Sequence, residues 1–174
     1  MPVRFRIERP RGFFPDSIYR VHVQDAVIVA SEVRKFRDRR ALTWTWIDGT
    51  EYAWLRPDGP KGEWLHLVSG GRMLCSGEIL VARKRRNRGK TVVTCSQWEI
   101  GGQTIVLQGS RFCCGSVPTM LTLCEADGKR LACWVAGRVE GALRQDMPRE
   151  LVPVILGIVL TTVHNFWGTS GDGD

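Results

Sequence analysis

Six positive charges fall within the eight residues Arg83-Lys84-Arg85-Arg86-Asn87-Arg88-Gly89-Lys90, and no acidic residue stands among them. Guanidinium and ammonium groups at that density can neutralise phosphate oxygens on a lipid headgroup, a soluble phosphate-bearing ligand or a nucleic-acid backbone. The competing reading is a solvated loop, the ordinary fate of a charge run. A second cluster, Arg34, Lys35, Arg37, Arg39 and Arg40, extends the first if folding brings the two together. The total formal charge of +7 is unevenly placed: residues 1–90 hold 19 Lys/Arg against 10 Asp/Glu, and residues 91–174 hold 6 against 8.

Other chemistry is sparse. His22 and His66 fall inside strand patterns, and His164 falls near the end of an apolar helix, where a cation is favoured by the helix dipole. The six cysteines, Cys75, Cys95, Cys113, Cys114, Cys124 and Cys133, include no C-x-x-C pair and lie mostly in apolar runs, so they read as reduced, buried thiols. Cys113 and Cys114 are adjacent, which is awkward for two ligands of one metal ion. The chain contains no G-x-S-x-G, no phosphate-binding glycine loop ending in Lys-Ser/Thr, no H-E-x-x-H and no dinucleotide fingerprint. No catalytic residue, metal site or cofactor is therefore expected. An enzyme would need an unrecognised pocket at the rim of the fold.

Up to about Arg144 the patterns are those of short strands and tight turns. Val3–Ile7 alternates apolar and basic residues, Tyr19–Val23 alternates again, and Ala26–Ala30 follows. Leu42–Ile47 and Glu51–Leu55 flank Asp48-Gly49, a dipeptide that accepts positive φ cheaply and marks a hairpin. Glu63–Val68 and Arg72–Ala82, the latter interrupted near Gly77, flank Ser69-Gly70-Gly71. The basic run joins Ala82 to Thr91–Cys95, which places it at a hairpin tip. Gly101-Gly102 turns Ser96–Ile100 into Thr104–Leu107, and Asp127-Gly128 turns Leu121–Cys124 into Arg130–Val135. The count is about twelve strands. The seven tryptophans suit a wide barrel interior, although Trp44 and Trp46, which share a face, leave room for one exposed aromatic patch.

The segment from Pro153 to Trp167 is different, being apolar on nearly every side through Leu160. Such a helix is enclosed by protein or by lipid. Pro153 suits its first turn and Gly168 its end, so a core helix is predicted over about 153–166, roughly 21 Å long against a bilayer core of roughly 30 Å. A buried core helix is the reading that length favours over a tail anchor. Strands that must hide one face and a helix that must be enclosed are both satisfied by a closed β-barrel around that helix, which also removes exposed sheet edges. The expectation is one mainly β domain over residues 1–168, with a disordered Gly/Ser/Asp tail over 169–174. The N-terminus carries a charge at every second residue, which is unlike a signal peptide, so a cytoplasmic location is expected, peripheral to a membrane where the basic segment meets one.

The strand order, the segment Met120-Leu121-Thr122-Leu123-Cys124-Glu125-Ala126-Asp127-Gly128-Lys129-Arg130-Leu131-Ala132 and the closing Asp146-Met147-Pro148 with its apolar helix resemble the tubby C-terminal-like superfamily, which includes phospholipid scramblase-like and LURP-one-related proteins. The resemblance implies a twelve-stranded barrel around a hydrophobic C-terminal helix, and basic residues that meet lipid phosphate. The superfamily's individual headgroup-binding residues do not map onto positions of this chain. The scramblase-like cysteine-rich acylation cluster and acidic calcium-binding segment have no counterpart in it. The function expected is a non-enzymatic binding module for an anionic membrane surface or another phosphate-bearing partner, carried by Arg83, Lys84, Arg85, Arg86, Arg88 and Lys90. Nucleic-acid binding through the same surface is the alternative, and oligomeric state is left open.

Overall fold

The computed structural model describes residues 2–8, 18–32, 40–55, 64–82, 92–109, 120–135 and 139–168. Twelve strands and one helix follow in order: β1 (Arg4–Glu8), β2 (Ile18–Val23), β3 (Ala26–Glu32), β4 (Arg40–Thr45), β5 (Glu51–Leu55), β6 (Trp64–Ser69), β7 (Arg72–Ala82), β8 (Val92–Ile100), β9 (Gln103–Gly109), β10 (Met120–Glu125), β11 (Arg130–Val135), β12 (Glu140–Leu143) and α1 (Val152–Gly168). Each strand is antiparallel to the next, and β12 returns to β1 through Arg4↔Ala142, Phe5↔Gly141 and Arg6↔Glu140. The result is an up-and-down barrel with no free edge.

Alternation decides what faces inward. Phe5 and Ile7 of β1, Tyr19, Val21 and Val23 of β2, and Leu121 and Leu123 of β10 are buried, while Arg4, Arg6 and Arg20 point to water. Trp44, Trp54, Trp98 and Trp134 are buried too, and Trp46 is partly buried against the same core, so the Trp44/Trp46 face is the inner one and no exposed aromatic patch forms there. Side chains of Trp64 and Trp167 lie outside the described residues.

The helix occupies the interior, and every residue from Pro153 to Val163 is buried. Gly157 makes this possible: a Cβ there would stand 2.9 Å from a ring carbon of Trp44 and 3.4 Å from a methyl of Leu67. The notch also exposes the Gly157 carbonyl, which accepts the indole N–H of Trp54 at 2.9 Å, a hydrogen bond that ties barrel to helix. Beside it lies a void of about 10 Å³, lined by Val21, Ile28, Trp44, Trp46, Leu156 and Leu160. No helix among the described residues is long and apolar enough to cross a membrane.

Three boundaries differ from the sequence reading. β7 is continuous: Gly77 is not a break but the place where Trp98 of β8 lies flat, since a Cβ at Gly77 would overlap the indole ring, and the register shifts one residue later, between Glu78 and Ile79. β8 runs unbroken from Val92 to Ile100, joining the two segments expected over 91–95 and 96–100. Closure depends on β12, whose Glu-Gly-Ala-Leu shows little alternation but whose Gly141 lets Trp134 and Phe5 approach the backbone.

Candidate functional site

An up-and-down meander sorts its connections alternately to the two ends of the barrel. At one end the links are residues 24–25, 46–50, 70–71, 101–102 and 126–129, followed by 144–151, which lead into α1. At the other, β1 passes to β2 through 9–17, β3 to β4 through 33–39, β5 to β6 through 56–63, β7 to β8 through 83–91, β9 to β10 through 110–119 and β11 to β12 through 136–139. Of this second set only Val139 lies among the described residues.

Charge follows the same division. The sequence of the second set carries sixteen Lys/Arg against four Asp/Glu, a net of +12. The first set carries three against five, a net of −2. More than the whole excess of positive charge in the protein therefore belongs to connections leaving one end of the barrel. Arg83, Lys84, Arg85, Arg86, Arg88 and Lys90 lie outside the described residues, and so do Arg34, Lys35, Arg37 and Arg39. Their flanks are described. Ala82 pairs with Val92, which confirms a connection that leaves and returns at adjacent strands, and Glu32 and Arg40 terminate β3 and β4 at that same end. β4 and β7 are three strands apart, roughly 14 Å around the rim.

The opposite end is bound tightly to itself. Asp48 Oδ1 accepts the Thr50 N–H at 2.9 Å and Asp127 Oδ1 accepts the Lys129 N–H at 2.9 Å, turning the chain within a few residues. The Thr50 N–H holds the Asp48 carboxyl below its ordinary value of 3.8. Arg144 clamps the passage into the helix: its Nη1 lies 3.2 Å from Glu125 Oε1, its Nε lies 2.7 Å from Asp146 Oδ1, and its backbone N–H reaches Leu131 O at 2.9 Å.

Candidate general bases sit in surroundings that give them little to do. His22 Nε2 lies 3.1 Å from Glu8 Oε2 on the outer face of β2, and Arg6 Nη2 lies 2.6 Å from Glu8 Oε1. The hydrogen bond from His22, opposed by desolvation and aided by the charges of Arg6 and Arg20, holds the Glu8 carboxyl below its ordinary 4.5. This is a surface ion cluster with no nucleophile in it. His66 is partly buried in β6, and the side chain of His164 lies outside the described residues. Cys75 is buried, and Cys124 and Cys133 are free thiols, the first buried and the second half-buried; Cys113 and Cys114 and the side chain of Cys95 lie outside the described residues. Among the described residues no three His, Cys, Asp or Glu side chains gather as a metal site. A shallow trough of about 520 Å³ crosses the outer face of β3 to β6, lined by Val29, Ser31, Thr43, Ala53 and Val68 with Glu51 at its side, and neither a histidine nor a cysteine enters it.

The chain matches no protein-family model, no curated protein and no solved structure.

Proposed function

We propose that this protein is a non-enzymatic binding module that meets anionic, phosphate-bearing surfaces, in the first place lipid headgroups at a cytoplasmic membrane face, with the long-connection end of its barrel. One observation carries the reading: connections with a net charge of +12 leave one end of the barrel, while those of the other end sum to −2. A field divided that sharply orients an approaching anionic surface. The expected tubby-like plan, in which basic residues of a barrel meet lipid phosphate, supports the same reading.

A second feature favours membrane over nucleic acid. Ile18 opens β2, Met120 opens β10 and Val135 closes β11, all at the basic end, and all three are exposed. Met120 and Val135 are direct neighbours across the β10–β11 pair. Apolar side chains beside cations suit the boundary between headgroups and acyl chains. A phosphodiester backbone offers them nothing.

At about 1 kcal/mol per Lys or Arg near an anionic surface, the six residues of 83–90 set a ceiling of roughly 6 kcal/mol, halved if contact is incomplete. Binding is therefore weak and fades with salt. The test is co-sedimentation with anionic and with neutral vesicles, using the wild type and a variant carrying R83E, K84E, R85E and R86E, with a duplex oligonucleotide run at matched salt. Selective sedimentation of the wild type with anionic vesicles is expected. Equal sedimentation of the two proteins would sink the lipid reading, and tighter binding to duplex than to vesicles would replace it with nucleic acid.

A further inference from the structure

We propose that the outer face of β2 to β5 is a two-fold interface between copies of this chain. Across these four strands one straight row of outward residues reads Arg20, Val29, Thr45, Glu51: Arg20 pairs with Val29, the β3–β4 register carries Val29 to Thr45, and Thr45 pairs with Glu51. All four are exposed. The row has a cation at one edge, an anion at the other and two uncharged residues between.

That order is complementary to its own reverse. A two-fold axis running along the strands between β3 and β4 sets Arg20 of each copy opposite Glu51 of the other, and Val29 opposite Thr45. Two ion pairs form from one operation, as a closed symmetric dimer requires. Arg20 keeps reach for the exchange: its charge acts on Glu8, its cross-strand neighbour, but the close contacts of that carboxylate are made by Arg6 and His22, and Arg20 has no ion pair among the described residues. Glu51 has none among them either, and the Ser69 hydroxyl donating to its carbonyl oxygen at 2.7 Å fixes its backbone.

Apolar surface lies where such an interface needs it. Val27, two residues before Val29 on β3, and Ile47, in the turn after β4, are each more than half exposed, as is Val29. Small residues on the same face, Ser31, Thr43 and Ala53, form the floor of the shallow trough beside them. A face four strands wide and three rows deep spans roughly 300 Å², well below the ~800 Å² per partner of a standard stable interface. The dimer is accordingly weak and concentration-dependent.

An axis parallel to the strands leaves the long-connection ends of both copies on the same side of the dimer, although a strand tilt of roughly 35–45° splays the two barrels. Two basic ends then address one surface together, which raises avidity without any new contact. This consequence rests on the function proposed above; the interface does not.

Sedimentation velocity of the full chain, over about 10–300 µM and without vesicles, reads the interface directly. The wild type is expected to show a monomer–dimer equilibrium. R20E or E51R alone should weaken it at least tenfold, because each places like charges opposite one another twice. An equimolar mixture of R20E and E51R should associate within about threefold of wild type, since both pairs are restored in the heterodimer, and recovery shows that the variants are folded. Wild type that stays monomeric throughout, single variants that associate like wild type, or a mixture no stronger than its components would each overturn the interface. Vesicle binding by a strictly monomeric protein overturns the interface alone; dimerisation without vesicle binding overturns only the anionic-surface reading.

Discussion

At the end of the barrel where β12 hands over to α1, five of the six connections are turns of two to five residues, two of them closed by aspartate hydrogen bonds, and Arg144 locks the longest of the six in place. At the opposite end five of the six run seven to ten residues, and the six together hold sixteen of the protein's 25 basic residues. Short links at one end fix strand order and register, and through them the shape of the barrel. Long links at the other are released from that duty. Charge that would be costly among packed turns can accumulate there.

The comparison predicts that lesions in the core and at the turn end change stability, while lesions at the basic end change binding. Truncation after Arg149 is the most severe, because it removes α1 and with it seven buried residues, Val154, Ile155, Leu156, Ile158, Val159, Leu160 and Val163. At roughly 1.5–3 kcal/mol each they contribute roughly 10–20 kcal/mol gross, at least as much as a typical net stability of about 5–15 kcal/mol at matching ends of the two ranges. An insoluble or unfolded product is expected, and a soluble fragment with a cooperative thermal transition would break the central-helix account. Next is Gly77→Ala, whose methyl would collide with the buried Trp98 ring stacked at an angle on Trp54, 5.2 Å between centroids. A loss of about 1–3 kcal/mol should appear as a drop of several degrees in the melting midpoint.

Gly128→Ala is milder. Nothing stands within 4 Å of a Cβ there, but φ is +87°, so only backbone strain of about 1 kcal/mol applies, a shift of roughly 2–4 °C. Equal losses for Gly77→Ala and Gly128→Ala would show that the indole yields freely. The smallest effect on stability is expected for the quadruple reversal R83E, K84E, R85E and R86E, within about 0.5 kcal/mol in total, because the connection between β7 and β8 is read as serving binding and not the fold. That same variant should lose its binding to anionic vesicles. A large fall in its melting midpoint would show that the basic end serves the fold as well.

Much of this was legible from residue order. Alternation in β1, β2 and β10, the glycine turns at Asp48-Gly49 and Asp127-Gly128, and the all-round apolar helix each state their own structure, and together they imply closure. What the pattern concealed was long-range. β12 shows little alternation because it is a four-residue strand whose Gly141 serves Trp134 and Phe5, residues distant in sequence. The apparent interruption at Gly77 has its cause on the next strand. Charge was visible as an imbalance between the halves of the chain; the meander redistributes it by sending alternate connections to opposite ends, a division that exists only once the strands are paired.

The pairing of β1 with β12 sets a clock on synthesis. Until the twelfth strand is made, the first has no partner on one side, and until α1 follows it the inward faces of β1 to β12 have nothing to enclose. At roughly 5–20 residues per second, the 160 or so residues between β1 and the end of α1 take about 8–30 s to appear. For that interval any sheet that the nascent chain forms has an uncovered apolar side and an unpaired leading edge, features that favour misassociation. The barrel can close and fill only after both β12 and α1 have been made.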